Sequence, residues 1–400
     1  MPALSRGVSR IRRRGRSHPA DGGARLSKGL LALCAPNAFK GTLSAASAAV
    51  CLGRGVSDAG WRPLRFPVAD GGDGTLDVLL EAAGAGARVE RVPVHGPLGR
   101  LRLARLGWLE PQVAVVELAE AAGLRLLGAR REPLRSSSLG AGELIRAALD
   151  GGAKRIIVGV GGSASTDGGA GILHALGARL LDEGGRQVRP SGDALRRIAA
   201  VDLTTVDPRL GRCRVEVAVD VRSPLHGPDG AACVFAPQKG ANGHQVELLD
   251  AGLRQFAGIL ERAVRKPALH SRPGAGAAGG AAFALAALGA RLVGGAALVC
   301  EEAGLDRVLE TVALVITGEG RLDSQTAAGK APAEVAERAR RAGVPCVAVC
   351  GTVAAGEELF TATIALDRLG PDPRRHVRSL LRRAGAAAAR TGAEDLPRPG

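Results

Sequence analysis

A glycine-rich segment between an apolar run and a helical run constrains the fold of this chain most strongly. Residues 159–171 read GVGGSASTDGGAG and follow residues 154–158, a β-branched run typical of a buried strand. Residues 172–181 then have the pattern of a helix. A loop of this kind lets backbone N–H groups approach an anion closely, and the helix N-terminus adds positive potential. The alternative is a tight turn in which the glycines only permit the backbone geometry.

Apolar strands and amphipathic helices alternate along most of the chain. This alternation predicts an α/β fold with a doubly wound parallel sheet that helices cover on both faces. Residues 88–109 read instead as short extended segments joined by Gly-Pro turns, which predicts an α+β portion. The predicted strands are 31–34, 64–68, 113–118, 155–160, 215–219, 313–317, 345–350 and 361–365, and the predicted helices include 44–56, 142–150, 331–342 and 374–388.

The net charge of +15 over 400 residues raises the question of nucleic-acid binding. Residues 1–28 carry +7 and residues 365–400 carry +4, so the intervening chain is only weakly basic. The chain has no Tyr, two Trp and six Phe, which leaves few side chains for stacking on bases. We therefore expect no nucleic-acid partner, and we expect residues 1–28 to be a disordered basic extension.

Polar side chains follow several predicted strands, at the edge where open α/β sheets bind ligands. Lys40 follows the first strand and is a point charge suited to a phosphate or carboxylate. Asp70 and Asp73 lie in the sequence ADGGDGT, where a carboxylate holds Mg²⁺, accepts a proton or caps the next helix. Asp220 comes directly after another strand, and the nearby Lys239 could neutralise an anion.

Two further loops have the composition of a ligand site. The sequence TGEGRLDSQT presents Gly318, Glu319, Arg321 and Asp323, a mixture of acids and a cation that is expected where a phosphate meets a metal. Residues 273–280 read PGAGAAGG and contain G-x-G-x-x-G, but no strand precedes them as a dinucleotide fingerprint requires. We expect this loop either to contact substrate or to let helices approach closely.

Taken together and in order, seven stretches of the chain resemble the glycerate kinase type 1 family, the bacterial glycerate 2-kinases. The resemblance covers residues 30–370. It implies ATP-dependent phosphorylation of D-glycerate to 2-phosphoglycerate with Mg²⁺. It also implies two α/β domains that face each other across a cleft, one inserted into the other. The matching stretches are APNAFKGTLSA, PVADGGDGT, GPLGR, SLGAGELIRAALDGGAKRIIVGVGGSASTDGGAG, DVRSPLHGPDGAACVFAPQKGA, GAGAAGG and TGEGRLDSQTAAGK.

On this resemblance, Lys40 and Arg321 are expected to bind anionic groups, and Asp70 or Asp220 to act as the base. Asp73 or Asp323 is expected to hold Mg²⁺, as phosphoryl transfer depends on charge neutralisation. Which glycine loop binds ATP and which binds glycerate stays open. The residues expected to bind substrate or nucleotide are Gly161, Gly162, Ser163, Asp167, Gly168, Gly169, Gly274, Gly276, Gly318 and Glu319.

The predicted organisation is a Rossmann-like α/β domain built from residues 29–68 and 290–385, an inserted α/β domain at 69–289, and a flexible tail at 386–400. The family pattern favours APDSFKG, where this chain has Asn37 and Ala38, so any metal or proton role at position 37 is in doubt. It also favours ADGGEGT and SATNDGG, where this chain has Asp73 and Ser165-Thr166, and these changes keep the chemistry.

Two other functions remain open from the sequence. Residues 159–164 approximate G-x-G-x-x-A after a strand, which would suit a nucleotide-cofactor oxidoreductase acting on a small hydroxy acid. The basic N-terminus would suit a nucleic-acid-binding protein. Seven scattered cysteines and no apolar run of membrane-spanning length favour a cytoplasmic protein with no membrane partner. We expect a monomer or a homodimer.

Overall fold

The structure of the protein is a computed structural model that describes residues 30–323, 326 and 329–394. The expected N-terminal extension at 1–28 and residues 395–400 lie outside these residues. The strands in the described part are β1 Leu31–Pro36, β2 Arg62–Arg65, β3 Arg88–His95, β4 Leu101–Glu110, β5 Val113–Glu117, β6 Arg155–Gly159, β7 Arg179–Leu181, β8 Ala200–Asp202, β9 Arg214–Val219, β10 Arg291–Gly294, β11 Leu314–Leu322, β12 Cys346–Val353 and β13 Ala362–Ala365.

Helices connect most of these strands. The described helices are α1 Ala45–Asp58, α2 Thr75–Ala83, α3 Leu118–Ala122, α4 Leu139–Asp150, α5 Ala170–Ala175, α6 Ala231–Phe235, α7 Gly243–Val264, α8 Ala277–Ala287, α9 Gly295–Glu302, α10 Leu305–Leu309, α11 Ala331–Arg341, α12 Leu366–Leu369 and α13 Val377–Glu394. None of the helices in the described ranges has both the length and the apolar character needed to cross a membrane.

Two sheets organise the chain. The first is parallel throughout, with the strand order β13-β12-β11-β1-β2. The second has the order β10-β9-β6-β5-β4-β3, in which β10, β9, β6 and β5 run parallel while β4 and β3 are antiparallel. A separate antiparallel pair joins β7 to β8. The α/β fold class predicted from the sequence is confirmed, and the α+β portion is the β3–β4 hairpin.

Helices bury apolar side chains on both faces of each sheet. On the five-stranded sheet, Leu52 of α1 and Leu381 of α13 lie in one core, and Val335 of α11 lies in the core on the opposite face. Helix α9 packs toward both sheets, because its Cys300 belongs to a core of the five-stranded sheet and its Val299 to a core of the six-stranded sheet. Burial on both faces explains why these strands read as apolar runs rather than alternating ones.

Several elements differ from the sequence predictions. The helix predicted at 172–181 ends at Ala175 and is followed by β7, so that prediction was wrong in its second half. The chain turns at Gly177, where φ is +104° and a Cβ would lie 2.2 Å from the carbonyl oxygen of Thr205. Any residue other than glycine would therefore be strained by the positive φ and would also clash with the Thr205 carbonyl oxygen.

Two of the predicted domain limits, at residues 290 and 386, can be compared with the observed strands and helices. Strand β10 follows the predicted boundary at residue 290, yet it pairs with β9 in the six-stranded sheet. Residues 386–394, expected to be a tail, form the end of α13, where Ala388 and Ala389 are fully buried. Helix α13 reaches this length because it packs closely on α1: a Cβ on Gly385 would lie 2.4 Å from the carbonyl oxygen of Leu52.

Candidate functional site

The candidate site lies where the chain crosses from the first sheet to the second. Beyond β2, the N–H groups of Phe66 and Val68 donate to the carbonyls of Cys34 and Pro36, at 2.9 and 3.0 Å, so this segment follows β1. It then reaches β9 at Gly71, where φ is +90° and a Cβ would lie 2.6 Å from the Ala218 carbonyl oxygen. The carboxyl end of β1 is thereby held against the carboxyl end of β9.

Asp70 is the buried carboxylate at this crossing, with only 3 % of its surface exposed. Its Oδ2 accepts a hydrogen bond from Asn37 Nδ2 at 3.1 Å, and its Oδ1 accepts one from the Gly72 N–H at 3.2 Å. Asn37, which replaces an acid of the family pattern, is therefore a donor to Asp70. An aspartate at position 37 would instead put two carboxylates in contact.

Asp220, at the carboxyl end of β9, belongs to the same group of charges. Burial raises the pKa of its carboxyl, the nearby charge of Asp70 raises it further, and the positive charges of Lys40 and Lys330 oppose these effects. Lys40 stands exposed on the tight turn that follows β1, in which Thr42 N–H donates to the Phe39 carbonyl at 2.9 Å. The structure thus brings together the predicted residues Lys40, Asp70 and Asp220.

Glu319 adds a third carboxylate from β11. It is 6 % exposed, and Thr326 Oγ1 donates to its Oε1 at 2.6 Å. Burial raises the pKa of Glu319, while the hydrogen bond from Thr326 and the charges of Lys330 and Lys40 act in the opposite direction. The adjacent Gly318 is buried against β12, and its carbonyl accepts from the Asn37 N–H at 2.8 Å.

The glycine-rich loop after β6 reaches the surface only at its start. Gly161 and Gly162 lie against the ADGGDGT turn: the Gly161 N–H donates to the Gly71 carbonyl at 3.0 Å, and a Cβ on Gly162 would lie 2.3 Å from Asp73 Oδ1. Residues 163–170 are all buried. The part of this loop that is open to a ligand is therefore Gly161–Gly162, next to Asp73.

Asp167, predicted as a binding residue, is directed into the protein. It is 0 % exposed, and its carboxylate accepts hydrogen bonds from Ser137, Ser138, Gly169 and Gly171 at 2.7 to 3.3 Å. These contacts tie the loop to the N-terminus of α4 and close it around the carboxylate. The predicted residues Gly168 and Gly169 are buried in the same turn, with φ of +61° and +74°.

Lys239 is buried beneath this loop and donates hydrogen bonds to it. It is 3 % exposed, and its Nζ donates to Ser163 Oγ at 2.9 Å and to the Ser165 carbonyl at 2.5 Å. Burial lowers the pKa of the Lys239 amine to about 7, although the charge of Asp167 acts to raise it. Ser163, also predicted to bind a ligand, is therefore an acceptor for a buried lysine.

The second glycine-rich loop packs against the first. The Gly168 N–H donates to the Gly279 carbonyl at 2.9 Å, and a Cβ on Gly279 would lie 2.2 Å from the Ser165 carbonyl oxygen. The predicted binding residues Gly274 and Gly276 are buried against residues 219–224. Of the two functions expected for this loop, the structure supports close backbone approach.

Sequence reasoning missed one buried acid beside the site. Glu117 ends β5 and is 1 % exposed; its carboxylate accepts from the N–H groups of Gly74 and Leu76 at 3.1 to 3.2 Å, at the N-terminus of α2. Burial raises the pKa of Glu117 to about 7. The signal was present, because an acid that ends an apolar strand is at the ligand edge of a parallel sheet.

The remaining predicted residues lie at the rim. Asp73 is exposed, within the electrostatic reach of Arg125, Lys40 and Glu120. Arg321 is also exposed, and its Nε lies 3.7 Å from Asp323 Oδ2. Asp73 is therefore near enough to Lys40 to feel its charge, and Asp323 forms an ion pair with Arg321.

Comparisons with known proteins show which family the chain is similar to. A model of the glycerate kinase family matches residues 32–372. A glycerate kinase of Bacillus subtilis (strain 168) is 44% identical over 326 residues, covering 80% of this chain and 85% of the relative. A glycerate 2-kinase of Escherichia coli (strain K12) is 40% identical and covers 80% of this chain and 84% of the relative. A crystal structure described as a glycerate kinase 2 from Salmonella typhimurium LT2 has a TM-score of 0.78 and 38% identity, covering 92% of this chain and 100% of that one.

Proposed function

This chain belongs to the glycerate kinase family, so it is a kinase that acts on glycerate, and we propose that it transfers the γ-phosphoryl group of ATP to the 2-hydroxyl of D-glycerate. The observation that carries this proposal is the convergence of Asp70, Asp220 and Glu319 with Lys40 at the meeting edges of two sheets. Acids and cations in one cleft suit a reaction that depends on positioning and charge neutralisation.

We propose Asp220 as the general base. Its raised pKa brings it closer to neutral pH, which favours proton transfer from an attacking hydroxyl. Asp70 is less suited to this role, because Asn37 and Gly72 already donate to its two oxygens. The glycerate hydroxyl would give its proton to the Asp220 carboxylate while the glycerate oxygen bonds to the γ-phosphorus of ATP. The bond between that phosphorus and the bridging oxygen would break, and ADP would leave with the oxygen.

The positive groups have a separate task in this proposal. Lys40 faces the charges of Asp73, Asp220 and Glu319, and a bound carboxylate or phosphate would compete for it. The exposed turn at Gly161–Gly162 permits close approach of an anion to the backbone beside Asp73. Arg321 at the rim is proposed to bind an anionic group of either substrate.

The donor set also fits Mg²⁺. In kinases this ion is held by one or two carboxylates together with substrate phosphates, and it neutralises the phosphate charge. Asp70 and Glu319 provide two buried carboxylates whose charges act on each other. In the described ranges no group of three or more His, Cys, Asp or Glu side chains forms an all-protein metal cage. We propose Asp70 and Glu319 as its ligands, and Asp73 and Asp323 remain the sequence-based candidates.

The location proposed for this activity is the cytoplasm. Burial raises the pKa of six cysteines, Cys34, Cys213, Cys233, Cys300, Cys346 and Cys350, and all seven cysteines are free thiols. Thiols in this state are typical of a reducing compartment.

One spectrum tests the reaction. The purified protein is incubated with D-glycerate, ATP and Mg²⁺, and the phosphorus NMR signals of the products are recorded against authentic 2- and 3-phosphoglycerate. We expect ADP and 2-phosphoglycerate in equal amounts. 3-Phosphoglycerate would overturn the assigned position, and an unchanged ATP signal would overturn the kinase proposal itself. Asp229→Asn, an exposed acid in the loop after Asp220, serves as the active control variant.

A further inference from the structure

A large basic cavity lies apart from the acidic site. It has a volume of about 750 Å³, within the range typical of small-molecule pockets. None of Lys40, Asp70, Asp220 and Glu319 lines it. Its walls are the β3–β4 turn, the loop that leads into α4, and the segment before the 3-10 turn Asp193–Arg197.

Backbone hydrogen bonds hold these three walls together. The Ser137 N–H donates to the Pro97 carbonyl at 2.8 Å, which joins the first wall to the second. The Asp193 N–H donates to the Leu134 carbonyl at 2.9 Å, which joins the second to the third. The cavity is therefore a feature of the packed fold, and its first wall is the GPLGR stretch that the catalytic proposal leaves without a role.

Arginines dominate the lining. Six line the cavity together with two acids, Glu132 and Asp193. Glu132 pairs with Arg130 and Arg135, and Asp193 accepts a hydrogen bond from Ser191 Oγ at 2.6 Å. Within the part of the chain that the structure describes, no salt bridge involves the other four, Arg100, Arg102, Arg189 and Arg197.

The geometry of these guanidinium groups points to a ligand. Arg102 lines the cavity, and its Nε is buried with no hydrogen-bond partner in the described part of the chain. A guanidinium group of Arg189 lies close to Gly99, where a Cβ would be 3.0 Å from its Nη2. Burying a guanidinium donor without a partner is costly, so an acceptor supplied by a ligand would relieve that cost.

We propose that this cavity binds a small phosphorylated organic molecule. Arginine forks match phosphate and carboxylate oxygens, and four of them without salt bridges suit a ligand with more than one negative charge. Leu101, Leu126, Leu127 and Leu139 line the same cavity and offer an apolar surface for the organic part. The anion site itself is argued from these contacts, and the choice of candidate ligands rests on the proposed function.

A ligand in this cavity would also lie next to Ser137, which contacts the loop after β6 through Asp167. Ser137 lines the cavity, and its Oγ lies 3.3 Å from Asp167 Oδ2, the carboxylate that closes the loop after β6. Two sources of the ligand share the required chemistry: the nucleotide phosphoryl donor and a phosphorylated hydroxy acid such as the reaction product.

Equilibrium binding to the full-length protein tests the proposal. The probes are ADP, 2-phosphoglycerate and inorganic tripolyphosphate, each titrated by calorimetry without turnover. The cavity variant is Arg189→Gln with Arg197→Gln. The matched control is Arg186→Gln with Arg196→Gln, which removes the same charge from neighbouring exposed positions that do not line the cavity. Arg100→Gln, on the opposite wall, provides an independent second variant.

We expect the cavity variant to bind one of the organic phosphates roughly tenfold or more weakly, with the control pair unaffected, since each lost guanidinium removes a charge-assisted hydrogen bond. Loss of ADP binding with a raised KM for ATP identifies the nucleotide as the source. Loss of 2-phosphoglycerate binding alone identifies the hydroxy acid. Equal binding by cavity and control variants, or weakening of tripolyphosphate alone, overturns the proposal. An inactive protein that still shows the expected binding difference would contradict only the kinase proposal.

Discussion

At the scale of single residues, two carboxylates of the site differ in what surrounds them. Asp70 accepts hydrogen bonds from Asn37 and Gly72, whereas burial and the charge of Asp70 raise the pKa of Asp220. Hydrogen bonds to a carboxylate stabilise its ionised form and make it a weaker proton acceptor, whereas a raised pKa makes a carboxylate a stronger one. We therefore expect Asp70 to be a fixed, hydrogen-bonded carboxylate and Asp220 to be the proton acceptor.

The first prediction concerns Asp220→Asn. Removing a general base lowers kcat by about 10²- to 10⁴-fold, and single-turnover rates measure this directly. The base acts only when deprotonated, so the wild-type rate should fall as pH drops through a pKa that lies above the ordinary aspartate value. Asp220→Asn should lose that acid limb. A normal rate with an unchanged pH profile in this variant would exclude Asp220 as the base, and Asp229→Asn controls for the charge change.

The second prediction concerns the buried Lys239, whose pKa burial lowers to about 7. Above pH 7 the folded protein releases this proton while the unfolded chain retains it up to about pH 10. The unfolded state then binds more protons, so the free energy of unfolding rises with pH in this window. We expect the wild type to gain about 3 kcal/mol relative to Lys239→Met between pH 7 and 9.5.

Urea denaturation across that pH range measures the difference, and Lys154→Met, an exposed lysine, is the control. Because all other titrating groups are shared, subtracting the two curves isolates Lys239. A difference that stays constant with pH would mean that the amine remains protonated in the folded protein.

The sequence predicted that Lys40, Asp70 and Asp220 belong to one site because each follows a strand of a parallel sheet, and such strand ends lie at the same edge. It did not reveal that Ser163 and Asp167 are directed inward. Their burial depends on Lys239, which is 76 positions away from Ser163 along the chain, and on Ser138 at the start of α4. Contacts over such separations leave no local pattern in the residues.

At the scale of elements, the two glycine-rich loops support each other through their backbones. Gly279 has φ of +67°, and a Cβ there would lie 2.2 Å from the Ser165 carbonyl oxygen. Gly289 also has positive φ, +101°, but a Cβ there would meet nothing within 4 Å. The two positions share the conformational requirement for glycine and differ in crowding.

The third prediction uses this difference. Gly289→Ala should lower the free energy of unfolding by about 1 to 2 kcal/mol, because an alanine is strained at positive φ. Gly279→Ala should cost more and should also reduce kcat/KM, since the added methyl group displaces the loop that supports Gly161 and Gly162. Chemical denaturation and steady-state kinetics measure both. Equal effects of the two substitutions on stability and activity would show that close packing of the loops is unimportant.

Element types followed well from apolar runs, and their ends did not. Helix α5 stops early because Gly177 turns the chain against Thr205, and α13 runs on to Glu394 because Gly55 and Gly385 let it approach α1 closely. Strand β11 extends past Thr317 to Leu322 because it continues pairing with β12. In each case a tertiary contact determines the end, so a local pattern could not have predicted it.

At the scale of the whole molecule, nearly half of the net positive charge lies in the first 28 residues. Residues 1–28 carry +7 of the net +15, whereas the family match covers residues 32–372. Basic segments bind nucleic acid through charge alone, with an affinity that falls steeply with salt. The basic N-terminus and the catalytic site should therefore be separable.

The fourth prediction is that a chain lacking residues 1–28 keeps its kcat and both KM values within about twofold, because every residue of the proposed site lies beyond position 30. Filter binding to a homopolymeric RNA at low salt should weaken at the same time, as seven positive charges are lost. Loss of kinase activity on deletion would instead assign the N-terminus a place in the catalytic fold.

Strand β1 of the first sheet pairs with two strands that are far apart along the chain. β1 pairs with β2 at Leu31 and Arg62, but its other edge pairs with β11, from Ala32 to Leu314. All strands of the six-stranded sheet lie between Arg88 and Gly294. During translation, all strands of the six-stranded sheet therefore leave the ribosome before β11 is synthesised. Until then one edge of β1 has no partner strand, and such an edge is prone to aggregation. The order of synthesis makes the first strand among the last to be completed, and dependence on a chaperone during translation should be greatest in that interval.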